Sequence, residues 1–490
     1  MSAAPPGAVV SIFGQAELRP GAEGGGSFVR LAAEVPAIAP SRLIAIVEGS
    51  RVVWRSPEPE RDGRIWSMLG WGEAARIDAS GPGMVGEVQR SAERLFASLR
   101  DASSGAGRAG FSFESALTPR LFGGIAFPRG ARAGDPGPGL GPPWGAFAEA
   151  SFSMPRWLYA VSGQKGLLQV ITRADRLDEA SQELEARRLV VEAMAALSPV
   201  GSSAADARSF GVAARSEEDA RASTDPEAWR AMVLDALARI RAGELEKVVP
   251  AAVRRVTLAE PAALDAVVER LGEAYPDCHV FAVERGSATF VGASPERLVT
   301  LRGLRVETDA LAGSVRRDPG SDEEARERLA SSDKDLREHA LVVDAIRAAL
   351  RPRCRMLHVP ERPVVRSLRN VHHLHTPIEG DLGEAGHVLD LVELLHPTPA
   401  VCGSPRAAAI AWISDREPAP RGWYAGALGW FDEAGDGSFS VAIRSALLAN
   451  REAWLYAGAG VVEGSDPAAE LAETRVKQAP MLAALGVPAV

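Results

Sequence analysis

Ala288-Thr-Phe-Val-Gly-Ala-Ser-Pro-Glu296-Arg-Leu-Val-Thr-Leu301 decides the fold reading of this chain. Ala288–Val291 and Arg297–Leu301 are strand patterns, and a turn punctuated by Gly292 and Pro295 separates them. Further strand patterns fall at Val441–Ile443 and Trp454–Tyr456, and helical patterns span about 321–350 and 467–485. Strands and helices mix without the regular βαβ spacing of a doubly wound sheet. The predicted class is α+β with antiparallel sheet. No internal repeat is present at periods of ~20–50 residues.

The first 200 or so residues alternate short apolar runs with turn-rich stretches. Leu43–Val47 and Val52–Trp54 read as strands around Glu48-Gly49-Ser50, and Val88–Leu99 reads as a helix. Gly105-Ala-Gly-Arg-Ala-Gly110 matches G-x-G-x-x-G in letters only. It follows a polar run and opens no helix, so a loop is expected rather than a dinucleotide site. Phe122–Phe127 precedes a Gly/Pro-rich loop through Pro143. Strand-like Phe147–Phe152 and Leu167–Ile171 follow, then a helix at about 178–197. Ser198–Thr224 reads as a linker or exposed connection. Two units are expected, an N-terminal half at 1–215 and a core at 225–490, which can also form one continuous domain.

At 490 residues the chain exceeds one small core. A composition of 46% hydrophobic and 24% charged residues is that of a soluble globular protein. A net charge of −9 with no Lys/Arg block argues against a nucleic-acid partner. Cys278, Cys354 and Cys402 lie far apart and suit a reducing compartment. There is no signal-peptide pattern and no membrane-spanning run. A cytoplasmic protein without a membrane partner is expected; the sequence does not set the oligomeric state, with a monomer favoured.

The chemistry-bearing residues concentrate after residue 240. A helix pattern from Trp229 to Arg241 stops at Gly243, and the chain enters Glu244-Leu-Glu-Lys247-Val-Val-Pro250. Alone, Lys247 is an edge-strand lysine with its ammonium in water. Glu296 alone is a solvated turn carboxylate. Asp309-Ala-Leu-Ala-Gly313-Ser314 is either a strand end that lets backbone approach a ligand or a packing bend. Glu338 lies beside a helix stripe of Leu336, Val343, Ile346 and Leu350, in line with small residues. Asp466-Pro467 reads as the N-cap and first residue of the last helix, where Glu470, Glu473 and Lys477 share a face suited to an exposed ion pair. His372, His373 and His375 lack zinc-site spacing. Together these residues, with Arg444 and glycines such as Gly458, suit a Mg²⁺-assisted reaction on a small carboxylate substrate.

The combination resembles the chorismate-utilising enzymes of the menaquinone, siderophore and tryptophan pathways, and isochorismate synthases most closely. The motifs that carry the resemblance include Lys247-Val-Val, Gly292-Ala-Ser-Pro-Glu296, Ala310-Leu-Ala-Gly313-Ser314, Lys334-Asp335 through Glu338-His339 and His373-Leu-His-Thr376-Pro377. Leu395-His-Pro-Thr-Pro399, Arg421-Gly-Trp-Tyr-Ala-Gly426, Ile443-Arg444, Ala457-Gly-Ala-Gly460 and Glu473-Thr-Arg-Val-Lys477 continue the series. They cover about 225–485, whereas the N-terminal half matches loosely through Phe122-Gly-Gly and Trp144–Arg156.

The resemblance implies a large α+β sandwich of antiparallel sheets flanked by helices, completed by the N-terminal half. It implies chorismate as substrate and Mg²⁺ held by Glu338 and Glu473. Arg444, Gly458 and Lys477 would take the enolpyruvyl carboxylate, and Gly313, Ser314, His373 and Thr376 would line the ring pocket. Lys247 would be the general base for water, which requires its neutral form, and Glu296 the general acid, which requires a raised pKa. Anthranilate synthases of the family carry glutamine in place of Lys247, and aminodeoxychorismate synthases carry a nucleophilic lysine in place of Ala312. Water chemistry without a glutaminase subunit is therefore expected. Salicylate synthase, which adds pyruvate elimination, an anthranilate synthase-type component and a non-catalytic chorismate-binding regulator are the alternatives. His375-Thr376-Pro377-Ile-Glu-Gly380 is closer to the isochorismate type. Pro250-Ala-Ala departs from the family, where a bulkier residue and an arginine are usual.

Overall fold

The computed structural model describes residues 28–47, 49–101, 118–130, 139–173, 217–218, 224–317 and 320–488. The turn that carries Glu296 does not close a hairpin. Ala288–Ser294 pairs with His279–Arg285 and Ser445–Ala449, whereas Arg297–Arg302 pairs with Arg305–Arg316 and Gly437–Val441. The chain leaves one set of strands and enters another at Pro295, which has no N–H to give either ladder. Glu296 is held at that step.

The two sets belong to one hydrogen-bonded system to which both halves of the chain contribute. His279–Arg285 continues through Arg51–Arg55 and Ser67–Ala79 to Ala150–Ser162. Ala150–Ser162 then pairs with Arg120–Ile125, which leads through Ala427–Asp432 to Gly437–Val441. Pairing among the described strands is antiparallel except for Phe28–Arg30 beside Leu99–Asp101. With the flanking helices this is an α+β sandwich.

Alternating side chains fill two layers. Between the strand sets, Trp144, Phe147, Phe290 and Trp423 meet edge to face at centroid distances of 5.0–6.5 Å. Each buried Phe of this kind contributes about 1.5–3 kcal/mol from burial, and the edge geometry adds about 0.5–1.5 kcal/mol per pair. A second layer packs Leu264, Val267 and Leu271 of helix Leu264–Ala274 with Met481 and Leu482 of helix Pro467–Ala484.

Several local expectations are corrected. Leu43–Val47 is not a strand: Pro40–Ile44 is a helix, because Pro40 presets its first turn and Leu43 and Ile44 bury on one side. The 321–350 pattern is two helices, Asp322–Ser331 and Asp333–Leu350. Ser332 ends the first and caps the second by accepting from the Asp335 N–H. The strand at Val441 stops there, since Arg444 turns at φ +52°. Asp309–Ser314 is not a strand end but the middle of Arg305–Arg316, where Gly313 forms a bulge at φ +75°. Gly105–Gly110 and the 178–197 helix lie outside the described residues, as does the 198–224 connection apart from Glu217–Glu218 and Thr224.

Candidate active site

The step at Pro295, the Gly313 bulge and the Gly458 strand end converge on one cleft of about 600 Å³, counting its open mouth. It is lined by Glu296, Gly313, Ser314, Glu338, His373, Arg444, Gly458, Glu473 and Lys477. Close backbone approach explains the glycines. A Cβ at Gly458 would lie 2.9 Å from Val249 Cγ1, and one at Gly460 would lie 2.3 Å from Glu338 Oε1.

Lys247 is 0% exposed, so water is not what its ammonium meets. It sits behind the lining, with Nζ 2.9 Å from Glu338 Oε1. That contact is an ion pair without hydrogen-bond alignment. Its strand, Lys247–Val248, pairs with Gly403–Ser404 in a separate two-stranded ladder. Thr376 does not line the cleft either. His339 is a neutral imidazole, because burial lowers its pKa to about 4. Its Nδ1–H donates to the Ala312 carbonyl at 3.3 Å, so Nε2 accepts from the Thr376 hydroxyl at 2.8 Å. Thr376 and His339 thereby tie helix Asp333–Leu350, and with it Glu338, to the bulged strand.

Glu296 is 2% exposed and its Oε1 has no hydrogen-bond partner. Burial pushes its pKa up to about 8, with Asp309 adding to the rise and Lys247 and Lys477 opposing it. Burial also acts on Glu338, but Lys247, Lys477 and Lys334 outweigh it and hold that carboxyl below its ordinary range. Glu473 faces Lys477 at 2.5 Å, and Lys477 also donates to the Gly458 carbonyl at 2.9 Å. Glu470, expected on an exposed face, is instead buried, and its partner at 3.0 Å is the partly exposed Lys334.

Arg444 is buried without a carboxylate within ion-pair distance among the described residues. Its Nη2 donates at 3.1 Å to Nε2 of His373. His373 in turn donates through Nδ1 to Ser314 Oγ at 2.9 Å. Burial, with Arg444 and Lys477 nearby, keeps this imidazole neutral. A buried guanidinium facing a neutral ring is set up to receive an anion.

Sequence reasoning gave no role to Tyr424 or Tyr456, yet both line the cleft and stack with ring centroids 5.1 Å apart. Their signal was their place in the Arg421–Gly426 motif and beside Gly458. Leu311 and Ile443, from the Ala310–Ser314 and Ile443-Arg444 motifs, and Val401, which no motif contains, complete apolar walls to which sequence reasoning gave no role. Among the described residues, no cluster of three or more His, Cys, Asp or Glu side chains is arranged around a metal position, the histidines included.

A family model for chorismate binding enzymes matches residues 19–486. The chain belongs to the chorismate binding enzymes. It is similar to other members along most of its length. It is 37% identical over 440 residues to the salicylate biosynthesis isochorismate synthase of Pseudomonas aeruginosa, covering 88% of this chain and 84% of that one. Identity to the isochorismate synthase MenF of Bacillus subtilis is 36% over 379 residues, 76% of each chain. The structure of MenF, the menaquinone-specific isochorismate synthase of Escherichia coli, superposes with a TM-score of 0.69 at 26% identity. That superposition covers 94% of this chorismate binding enzyme and 95% of the other chain. No helix among its described residues is long and apolar enough to cross a membrane.

Proposed function

We propose that this enzyme is a Mg²⁺-dependent isochorismate synthase, adding water at C2 of chorismate as the C4 hydroxyl departs. The observation that carries the reading is the pair of opposed carboxyls in one cleft. Glu296 keeps its proton through neutrality, and Glu338 stays ionised against Lys247. A carboxylic acid that is neutral at pH 7 can donate to a leaving hydroxyl, which a free carboxylate cannot. Lys247 takes the proton from the attacking water. That role needs the neutral amine.

Substrate charge supports the same assignment. Arg444 and Lys477, with the Gly458 backbone, receive the enolpyruvyl carboxylate, and Gly313, Ser314 and His373 border the ring. With Glu296 protonated, the ionised groups are Glu338 and Glu473 against Lys247, Arg444 and Lys477. A dianionic substrate turns that small positive balance into a negative one, which a divalent cation offsets. Glu338 and Glu473 both line the cleft, and two carboxylates suffice for Mg²⁺, which keeps several waters. When bound, the ion would screen the ring carboxylate and anchor it.

Purified protein incubated with chorismate, with and without Mg²⁺, tests this by chromatography of the products. Isochorismate formed only with Mg²⁺ is the expected result. Salicylate with pyruvate would reassign the enzyme as a salicylate synthase, and calorimetric binding without turnover would make it a regulator.

A further inference from the structure

We propose that Arg421, clamped by Glu417, is the positioning residue that sets the Lys247–Val249 segment against the cleft wall at Val401. The inference deepens the reading of Lys247 as base and rests on it.

The ladder that carries Lys247 is short: Lys247–Val248 pairs with Gly403–Ser404 on one side, and Val248 makes a single bridge to Val461 on the other. So short a pairing does not hold its own geometry. The carbonyls just beyond it, Val249 and Val401, belong to residues on the cleft wall. Both accept from Arg421: Nη2 donates to Val249 O at 2.5 Å and Nη1 to Val401 O at 2.8 Å. The rest of the fork goes to Glu417, with Nε to Oε2 at 2.9 Å and Nη2 to Oε1 at 2.5 Å. Glu417 Oε1 also accepts from the Ala251 N–H at 2.8 Å, so the clamp grips the Lys247 segment on both sides of Pro250. Phe127 covers the guanidinium with its ring centroid 4.3 Å away, and both charged side chains are buried.

One planar group thus ties the end of that short ladder, at Val249 and Val401, to Glu417 at the end of the following helix. A lysine ammonium is a point charge and cannot hold two carbonyls and a two-toothed carboxylate in one plane. The anion contacts of the cleft have their own supports: His373 for Arg444, its own helix for Lys477, and the regular ladder of Ala251–Thr257 with Glu452–Gly458 for Gly458. Losing the fork therefore displaces the base more than the binding groups, and a misplacement of ~1 Å can cost ~10²-fold in rate.

The test measures isochorismate formation by Arg421→Lys and by the paired replacement Arg421→Met with Glu417→Leu, which leaves no lone buried charge. Each is made with Lys247 present and in a Lys247→Ala background, and folding is checked by thermal melts. The expected result is a ~10–100-fold loss of kcat with KM within ~3-fold, and little further loss (about twofold or less) in the Lys247→Ala background. A folded variant, single or paired, with the wild-type kcat overturns the proposal. So does a loss that multiplies with that of Lys247→Ala, since the clamp would then act independently of the base. Full activity of Lys247→Ala alone, or a wild type without turnover, overturns the reading of the site instead and the clamp's role with it.

Discussion

Glu296 and Glu338 are the same residue type in the same cleft, and their surroundings send them opposite ways. Glu296 is buried at the step between two strand sets with an unpartnered oxygen, and its proton is retained up to about pH 8. Glu338 is also poorly solvated, but Lys247, Lys477 and Lys334 surround it and it ionises below its ordinary range. The difference is not burial, which acts on both. It is the count and distance of cations, which decide whether a desolvated carboxyl becomes an acid or an anion.

The severest way to break this comparison is to remove the acid or its counterpart base. Glu296→Gln and Lys247→Ala are each expected to lower kcat by ~10²–10⁴-fold. Calorimetry should show chorismate still bound by Lys247→Ala, and retained turnover would remove that residue from the base role. A second expectation concerns stability. The folded state holds the Glu296 proton more tightly than the unfolded chain, whose pKa is near 4.5. Its contribution is therefore fully present below pH 4.5 and is lost as pH rises to about 8. At ~1.4 kcal/mol per pKa unit, Glu296→Gln should raise stability at pH 7 by a few kcal/mol even as it lowers kcat. Denaturant melts should show that gain vanish at pH 4.

Arg444→Met probes the anion end. Losing a charge-assisted hydrogen bond worth about 1.5–3 kcal/mol should raise KM by ~10–150-fold. A larger effect on kcat than on KM would mean that Arg444 acts on the transition state. A milder perturbation is pH itself. The acid form of Glu296 is depleted above about pH 8, so kcat should fall there, approaching tenfold per pH unit. In Glu296→Gln any residual rate should lose that limb. The smallest expected effect lies away from the comparison. Asp466 accepts from the Ala469 N–H at 2.8 Å and caps the helix that carries Glu473 and Lys477. Asp466→Ala should cost about 1 kcal/mol in a thermal melt and leave KM nearly unchanged.

Much of the site was legible because its residues sit in local patterns. Gly313, Gly458 and Gly460 mark backbone that must come close to something, and Asp466-Pro467 announces a helix start. Failures came where distant contacts outweighed local preference. Leu43–Val47 has a strand's composition, yet it begins as a helix because Pro40 precedes it and Leu43 and Ile44 find a buried face. Thr376 sits in a cleft motif but spends its hydroxyl on His339 behind the wall.

The chain's order of motifs determined the family, the α+β class and which side chains were worth watching. The tertiary structure decided what each of them meets. Nothing within Gly243–Pro250 tells a buried lysine from a wet one. Only the approach of Glu338, from a helix some ninety residues later, makes Lys247 part of a site. Burial and charge pairing are long-range properties, and they act on residues that the sequence alone cannot bring together.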